Sequence, residues 1–291
     1  MKIATALYPI EWHRDLAAYQ AKLAQWVQDA AENGTDLVVF PEYAGIEAVL
    51  LGEPDPTGTD RDWAKASAGA AAGMMSVWSD LAERFGLYIL AGSGPAKSQT
   101  GYVNRSRVFG PGGISGHQDK RMLTPWEKAN TPLGPGSHLS VFETSFGRLA
   151  IAICYDAEFP RLIEGANPDI LLIPACTDTR AGAERLRVAA RARALESQCV
   201  TVLSSTVGPV PFCAYLDENF GYAGVYAPPD NGFPETGVLA EQPFNQSGWV
   251  YAEFDFGRLA QLRKRADAPL RADALGLINS PIKPGTIHLK P

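Results

Sequence analysis

The sequence is poor in the residues that would tie it to a metal or to a disulfide framework. Its four cysteines, Cys154, Cys176, Cys199 and Cys213, form no CxxC or CxxxC pair, and its four histidines do not cluster with them. Zinc-site spacing is therefore missing. A chain of 291 residues can build a core large enough to stand without disulfide staples. No apolar run approaches the roughly 18 residues of a membrane helix. Met1-Lys2-Ile3-Ala4 leads straight into a strand-like stretch with no leader-type apolar core, so no signal peptide and a cytoplasmic location are expected. The net charge is −6 and no basic stripe appears, which argues against nucleic acid and anionic membranes as partners. No GxGxxG follows the first strand, which argues against a dinucleotide binder.

What the chain does have is an alternation of short β-branched runs with helical stripes. Ile3 to Tyr8 reads as a strand, and Leu16, Tyr19, Leu23, Trp26, Val27 and Ala30 recur at helical steps. Asn33-Gly34 stops that helix, and Asp36 to Phe40 is a buried strand ending at Pro41-Glu42. Trp63 to Phe85 forms one further stripe closed by Gly86, and Arg105 to Phe109 with Ile114 to Lys120 reads as a hairpin. Later strands are expected at Leu149 to Cys154, Ile170 to Pro174, Val200 to Ser205, Ala223 to Ala227 and Trp249 to Phe254. Mixed β-α and β-β connections predict an α/β fold of two stacked mixed sheets covered by helices, in a single domain over residues 1–267. Residues 268–291, with four prolines, are expected as an extended tail, loose or laid across a neighbouring subunit.

Glu42, Lys120 and Cys154 each stand at the end of an expected strand, where side chains of α/β folds converge on a pocket. Singly, a carboxylate there is a cap or solvated charge, a lysine a surface group and a cysteine a core residue. Together they make a nucleophile, a base and a cation. Asp156 is a suitable N-cap after Cys154 and Pro160 suits a first helical turn. The thiol is thus expected at a helix N-terminus that favours a thiolate, with the Tyr155 amide free for an oxyanion.

The segments Phe40-Pro41-Glu42, Asp119-Lys120-Arg121-Met122-Leu123 and Ile153-Cys154-Tyr155-Asp156-Ala157-Glu158-Phe159-Pro160 resemble the nitrilase superfamily of carbon–nitrogen hydrolases, over Ile3 to about Arg265. The resemblance implies an α-β-β-α sandwich that pairs into homodimers or larger homo-oligomers and needs no cofactor or metal. It implies a triad of Glu42 as general base, Lys120 as oxyanion stabiliser and Cys154 as nucleophile, working through a thioester. Glu127 best matches a second glutamate that many members carry between lysine and cysteine; a solvated glutamate at a helix start is the plainer reading. Tyr155, where nitrilases typically place Trp, points to an amidase or N-carbamoyl hydrolase acting on a small polar substrate.

Pro174 to Arg180 follows another buried strand and should line the same mouth, with Thr177, Asp178 and Arg180 as substrate contacts; alternatively Asp178 or Thr179 caps the next helix. The arginines at 185, 187, 191 and 193 spread around that helix and read as a solvated or interface face. Three rivals stay open: a nitrile hydrolase of the same superfamily, a papain-like enzyme pairing Cys154 with His117 or His138, and a catalytically inert scaffold.

Overall fold

The computed structural model describes residues 1–54, 57–113 and 115–277. Its strands are β1 Lys2–Pro9, β2 Leu37–Val39, β3 Tyr88–Ser98, β4 Gly101–Phe109, β5 Ser115–Asp119, β6 Val141–Thr144, β7 Gly147–Ile151, β8 Ile170–Ala175, β9 Val200–Pro209, β10 Glu218–Asn219, β11 Gly224–Tyr226, β12 Val238–Glu241 and β13 Gly248–Glu253. The helices are α1 Leu16–Glu32, α2 Asp60–Ala70, α3 Met74–Phe85, α4 Pro125–Asn130, α5 Pro160–Ile163, α6 Arg180–Ser197, α7 Phe256–Arg265 and α8 Leu270–Leu277. Two 3₁₀ turns, Ala44–Val49 and Cys154–Glu158, sit directly after β2 and β7.

The strands follow one path, β5-β4-β3-β2-β1-β9-β8-β7-β6, with β13 antiparallel to β1 and β11 antiparallel to β9. The join is narrow: β1 pairs with β2 through Ile3 to Thr5 and with β9 only through Leu7 to Pro9. Side-chain alternation gives each half two buried faces. Ile3, Leu37, Val39 and Leu90 of the first half share one apolar cluster with Leu149, Ile151, Ile170, Leu172, Val200 and Val202 of the second. Ala4, Val38 and Ile89 point the other way, into a cluster with Leu23 and Val27 of α1 and Trp78 and Leu81 of α3. On the second half, Thr201 donates its hydroxyl to Ala190 O of α6. The result is a single mixed α/β domain in which both sheet halves contribute to a common core. Among the described residues no helix is long and apolar enough to cross a membrane.

Several expected elements differ. The single stripe from Trp63 to Phe85 is two helices, broken at Ala71 to Gly73. Ala-Gly-rich sequence there offers few side chains to pack, so the stripe is met by two shorter segments. The strand expected from Ile114 is described from Ser115 on, Ile114 itself lying outside the described residues. The tail expected to be extended from residue 268 starts with α8, whose Arg271 donates to Asn167 O at 3.1 Å; residues 278–291 lie outside the described residues. Of the four α6 arginines, Arg185 and Arg191 are exposed as expected, whereas Arg187 and Arg193 are not. Arg193 is buried and donates to Ala157 O at 3.0 Å, and Arg187 forks onto Glu241 at 2.7 and 2.8 Å.

Candidate active site

Glu42 is delivered by the turn after β2. Pro41 follows Phe40, whose amide continues the ladder to Leu90 O at 2.9 Å. The turn then lies against Gly92, φ +72°, whose neighbour Ser93 donates its amide to Pro41 O at 3.1 Å. A Cβ at Gly92 would come within 2.1 Å of that oxygen, so only glycine lets the turn approach. Tyr43 takes the left-handed region, φ 61°, and its ring turns back towards the site.

Lys120 extends β5 by one residue, donating its amide to Asn104 O at 2.8 Å. Its ammonium, 1% exposed, donates to Glu42 Oε1 at 2.8 Å and to Glu127 Oε1 at 2.9 Å. Asn104 of β4 adds a second donor to Glu42 Oε1, at 2.9 Å. Glu127 stands at a helix start as the plainer reading had it, but buried rather than solvated. As the third residue of α4 it forms a capping box with Thr124. Its Oε2 accepts the Thr124 amide at 2.7 Å, and its Oε1 also accepts the Tyr43 hydroxyl. With both oxygens so occupied, Glu127 holds Lys120 rather than reaching for a ligand.

Cys154 opens the second 3₁₀ turn at φ 48°, a left-handed conformation that costs a non-glycine residue about 1–3 kcal/mol. Its thiol donates to Cys176 O at 3.5 Å, and Glu42 and Lys120 are near enough to act on its ionisation. The expected helix N-terminus is absent: the turn is 3₁₀, and the α5 that follows has only four residues. Asp156 is not an N-cap. Its carboxylate instead accepts the Arg121 amide at 3.1 Å and the Met122 amide at 2.7 Å, clipping the Cys154 turn to the lysine segment. The reason is that the residues after Lys120 leave the sheet, and their amides need acceptors.

The electrostatics follow from burial. Desolvation raises the Glu42 carboxyl to about 7, against the pull of Lys120 and with help from Glu127. Burial opposes the charge on Lys120, but the two carboxylates prevail and hold it ionised, well above its ordinary value. Burial likewise works against Glu127, and Lys120 with Tyr43 overcomes it and lowers that carboxyl. Cys154 is pushed well up by desolvation and then by Glu42. Burial and Glu42 thus favour the thiol, and the helix N-terminus from which a thiolate was expected is not there.

The other expected contacts have partners of their own or face solvent. Thr177 spends its hydroxyl on Phe220 O at 2.6 Å, Asp178 is exposed, and Arg180 lies over the Phe244 ring at 4.9 Å. Thr179 caps α6 through Gly182 N at 3.1 Å, the plainer reading of that segment. Tyr155 is half-buried, its ring edge-on to Phe159 at 4.8 Å. Cys176 donates its thiol to Asn219 at 3.1 Å, and burial raises its pKa further. His117 and His138 are exposed, and His138 bonds Ser137 at 2.8 Å; neither faces the thiol. Sequence reasoning missed Tyr43, Asn104 and Tyr215. A fully buried Asn104 in a strand was the most readable of these.

A sequence profile described as carbon-nitrogen hydrolase matches residues 2–264. The chain is 28% identical over 275 residues to the probable hydrolase YhcX of Bacillus subtilis, covering 91% of this chain and 52% of that protein; it thus spans about half of that relative's length. It is 26% identical to the omega-amidase NIT2 of Danio rerio, covering 82% of this chain and 83% of that one. Among solved structures, a carbon-nitrogen hydrolase from Helicobacter pylori superposes with a TM-score of 0.72 at 18% identity, over 91% and 92% of the two chains. The yeast nitrilase-superfamily protein Nit3 superposes with a TM-score of 0.69 at 20% identity, over 91% and 93%. With a profile match over nearly its whole length, the chain belongs to the carbon–nitrogen hydrolase family.

Proposed function

We propose that the chain hydrolyses an amide or N-carbamoyl bond of a small polar molecule through a thioester on Cys154. The observation that carries this reading is the convergence of Glu42, Lys120 and Cys154 from three distant segments into one nearly dry cluster. Glu42 takes the thiol proton, and the sulfur attacks the carbonyl carbon. Two of the three Lys120 N–H donors are held by Glu42 and Glu127, which leaves the third for the oxygen that becomes negative. The Tyr155 amide, early in its turn and without a partner inside it, supplies a second donor.

The tetrahedral adduct collapses, the C–N bond breaks, and Glu42 returns the proton to the departing amine. Water then gives a proton to Glu42 and attacks the thioester, releasing the acid and restoring the thiol. Glu127 acts by positioning and charging Lys120. Thr177, Asp178 and Arg180 are carried as contacts of the outer substrate group. Homodimeric or larger assembly and a cytoplasmic location rest on the family resemblance and on the sequence reading. The amidase names of relatives favour this chemistry over nitrile hydrolysis.

The test is ammonia release across small amides, carbamoyl compounds and nitriles with Cys154→Ala as control, together with mass spectrometry of acid-quenched enzyme. A Cys154-linked acyl adduct is expected with a turned-over amide. Ammonia release that survives Cys154→Ala would overturn the mechanism.

A further inference from the structure

Beside the carboxylate–lysine cluster stands a hydroxyl with nothing to bond. Tyr215, 5% exposed, has its phenolic oxygen buried and without a hydrogen-bond partner. Its ring meets Tyr43 edge-on at 5.0 Å and Trp126 at 5.1 Å. Tyr43 donates to Glu127 and Trp126 precedes it in sequence, so Tyr215 packs over that side of the cluster. Burial raises its pKa well above the ordinary value; the neighbouring Tyr43 hydroxyl, which forms no hydrogen bond of good geometry with it, and Lys120 work the other way, and Glu127 and Glu42 add to the rise. Its loop is held in place, with Val210 N on Asp217 O at 2.7 Å and Trp12 Nε1 on Pro211 O at 2.9 Å. A buried hydroxyl left unpaired destabilises the fold, and phenylalanine would make the same ring contacts without that cost.

We propose that the Tyr215 hydroxyl is a specificity determinant that hydrogen-bonds a neutral polar group on the acyl portion of the substrate. The inference rests on the amide-hydrolase reading above and narrows its substrate class. An anionic group there would face Glu127, which Lys120 keeps ionised, and a cationic group would compete with Lys120 for the same carboxylates. A hydroxyl or carboxamide meets the phenol without either conflict. The departing amine needs Glu42, so the group met by Tyr215, among the neighbours of Glu127, belongs to the acyl side.

The experiment compares wild type, Tyr215→Phe and Cys154→Ala on two shape-matched pairs: glycolamide with propionamide, and malonamide with isovaleramide. Wild type is expected to prefer the polar member of at least one pair. In Tyr215→Phe that preference, measured as the ratio of kcat/KM values, should fall about tenfold or more, chiefly through KM. Its Tm should equal or exceed that of wild type, because an unpaired group has been removed. Unchanged ratios, or no polar preference in wild type, would overturn the inference while leaving the hydrolase intact. An equal loss on all four amides with a lowered Tm would assign Tyr215 a structural role and overturn it too. Ammonia release that is absent throughout, or that persists in Cys154→Ala, would remove the underlying reading and this inference with it.

Discussion

Two buried lysine–carboxylate clusters flank the same 3₁₀ turn, Ala44–Val49, and they are built for different ends. On one side Glu42 and Glu127 share Lys120. On the other, Glu47 accepts Lys22 Nζ at 2.6 Å, pairs with His13 Nε2 at 2.7 Å, and accepts the Glu11 amide at 3.1 Å. The two look alike in composition, but the occupancy of the ammonium separates them. Lys22 has partners for all three donors: Glu47, Pro9 O at 2.6 Å and Glu11 at 2.8 Å. Lys120 has two. A saturated lysine braces a fold, whereas one with a spare donor beside a thiol can meet a reacting oxygen. Solvent access differs as well, since the Lys22 side chain is 12% exposed and that of Lys120 only 1%.

The largest expected break of this contrast is in activity. Glu42→Gln should lower kcat by about 10³-fold or more, since it removes the proton acceptor, while the folded chain persists by circular dichroism. An equal loss in Glu47→Gln would erase the distinction. Next, Gly92→Ala should cut kcat/KM by about 10²-fold, because the added methyl drives the Pro41–Glu42 turn out of register, and steady-state kinetics would read it. Glu47→Gln is expected to act on stability: about 1.5–3 kcal/mol lost in urea unfolding, for weakened bonds to charged groups, with kcat within about threefold of wild type.

The smallest effect is a displacement in pH. In the proposed mechanism Glu42 works as its base form, so kcat/KM should rise with pH through an apparent value near 7 that belongs to the coupled group. Glu127 raises that value by its charge, so Glu127→Gln should move the rising limb to lower pH, beyond any general loss of rate. The same carboxyl links to folding. Its native pKa lies above the unfolded one, so the stability it contributes is complete below about 4.5 and is lost as pH rises through about 7. Glu42→Gln should flatten the dependence of Tm on pH across that window.

Glu42, Lys120 and Cys154 were legible because each closes an apolar run, and the chain marks such places by breaking its own hydrophobic pattern. The strands around them were visible for the same reason. Less local features were not. Glu127 could be placed at a helix start, yet its bond to Lys120 depends on how α4 docks. The clip from Asp156 to the Arg121 and Met122 amides joins segments more than thirty residues apart, and a capping preference pointed to the wrong donors. The break at Ala71 to Gly73 was hidden because the apolar steps on either side stay in phase. Tyr215 sits in a loop without periodicity, where no pattern announces a buried ring.

The left-handed backbone at Cys154 bears on how the proposed nucleophile can be removed. Alanine there removes the sulfur but keeps a Cβ in a conformation that L-residues avoid, whereas glycine releases it. A Cys154→Gly chain should therefore melt above a Cys154→Ala chain. The position would be easier for the polymer to fill without its working atom than with it, and the surrounding contacts keep the sulfur where the backbone alone would not.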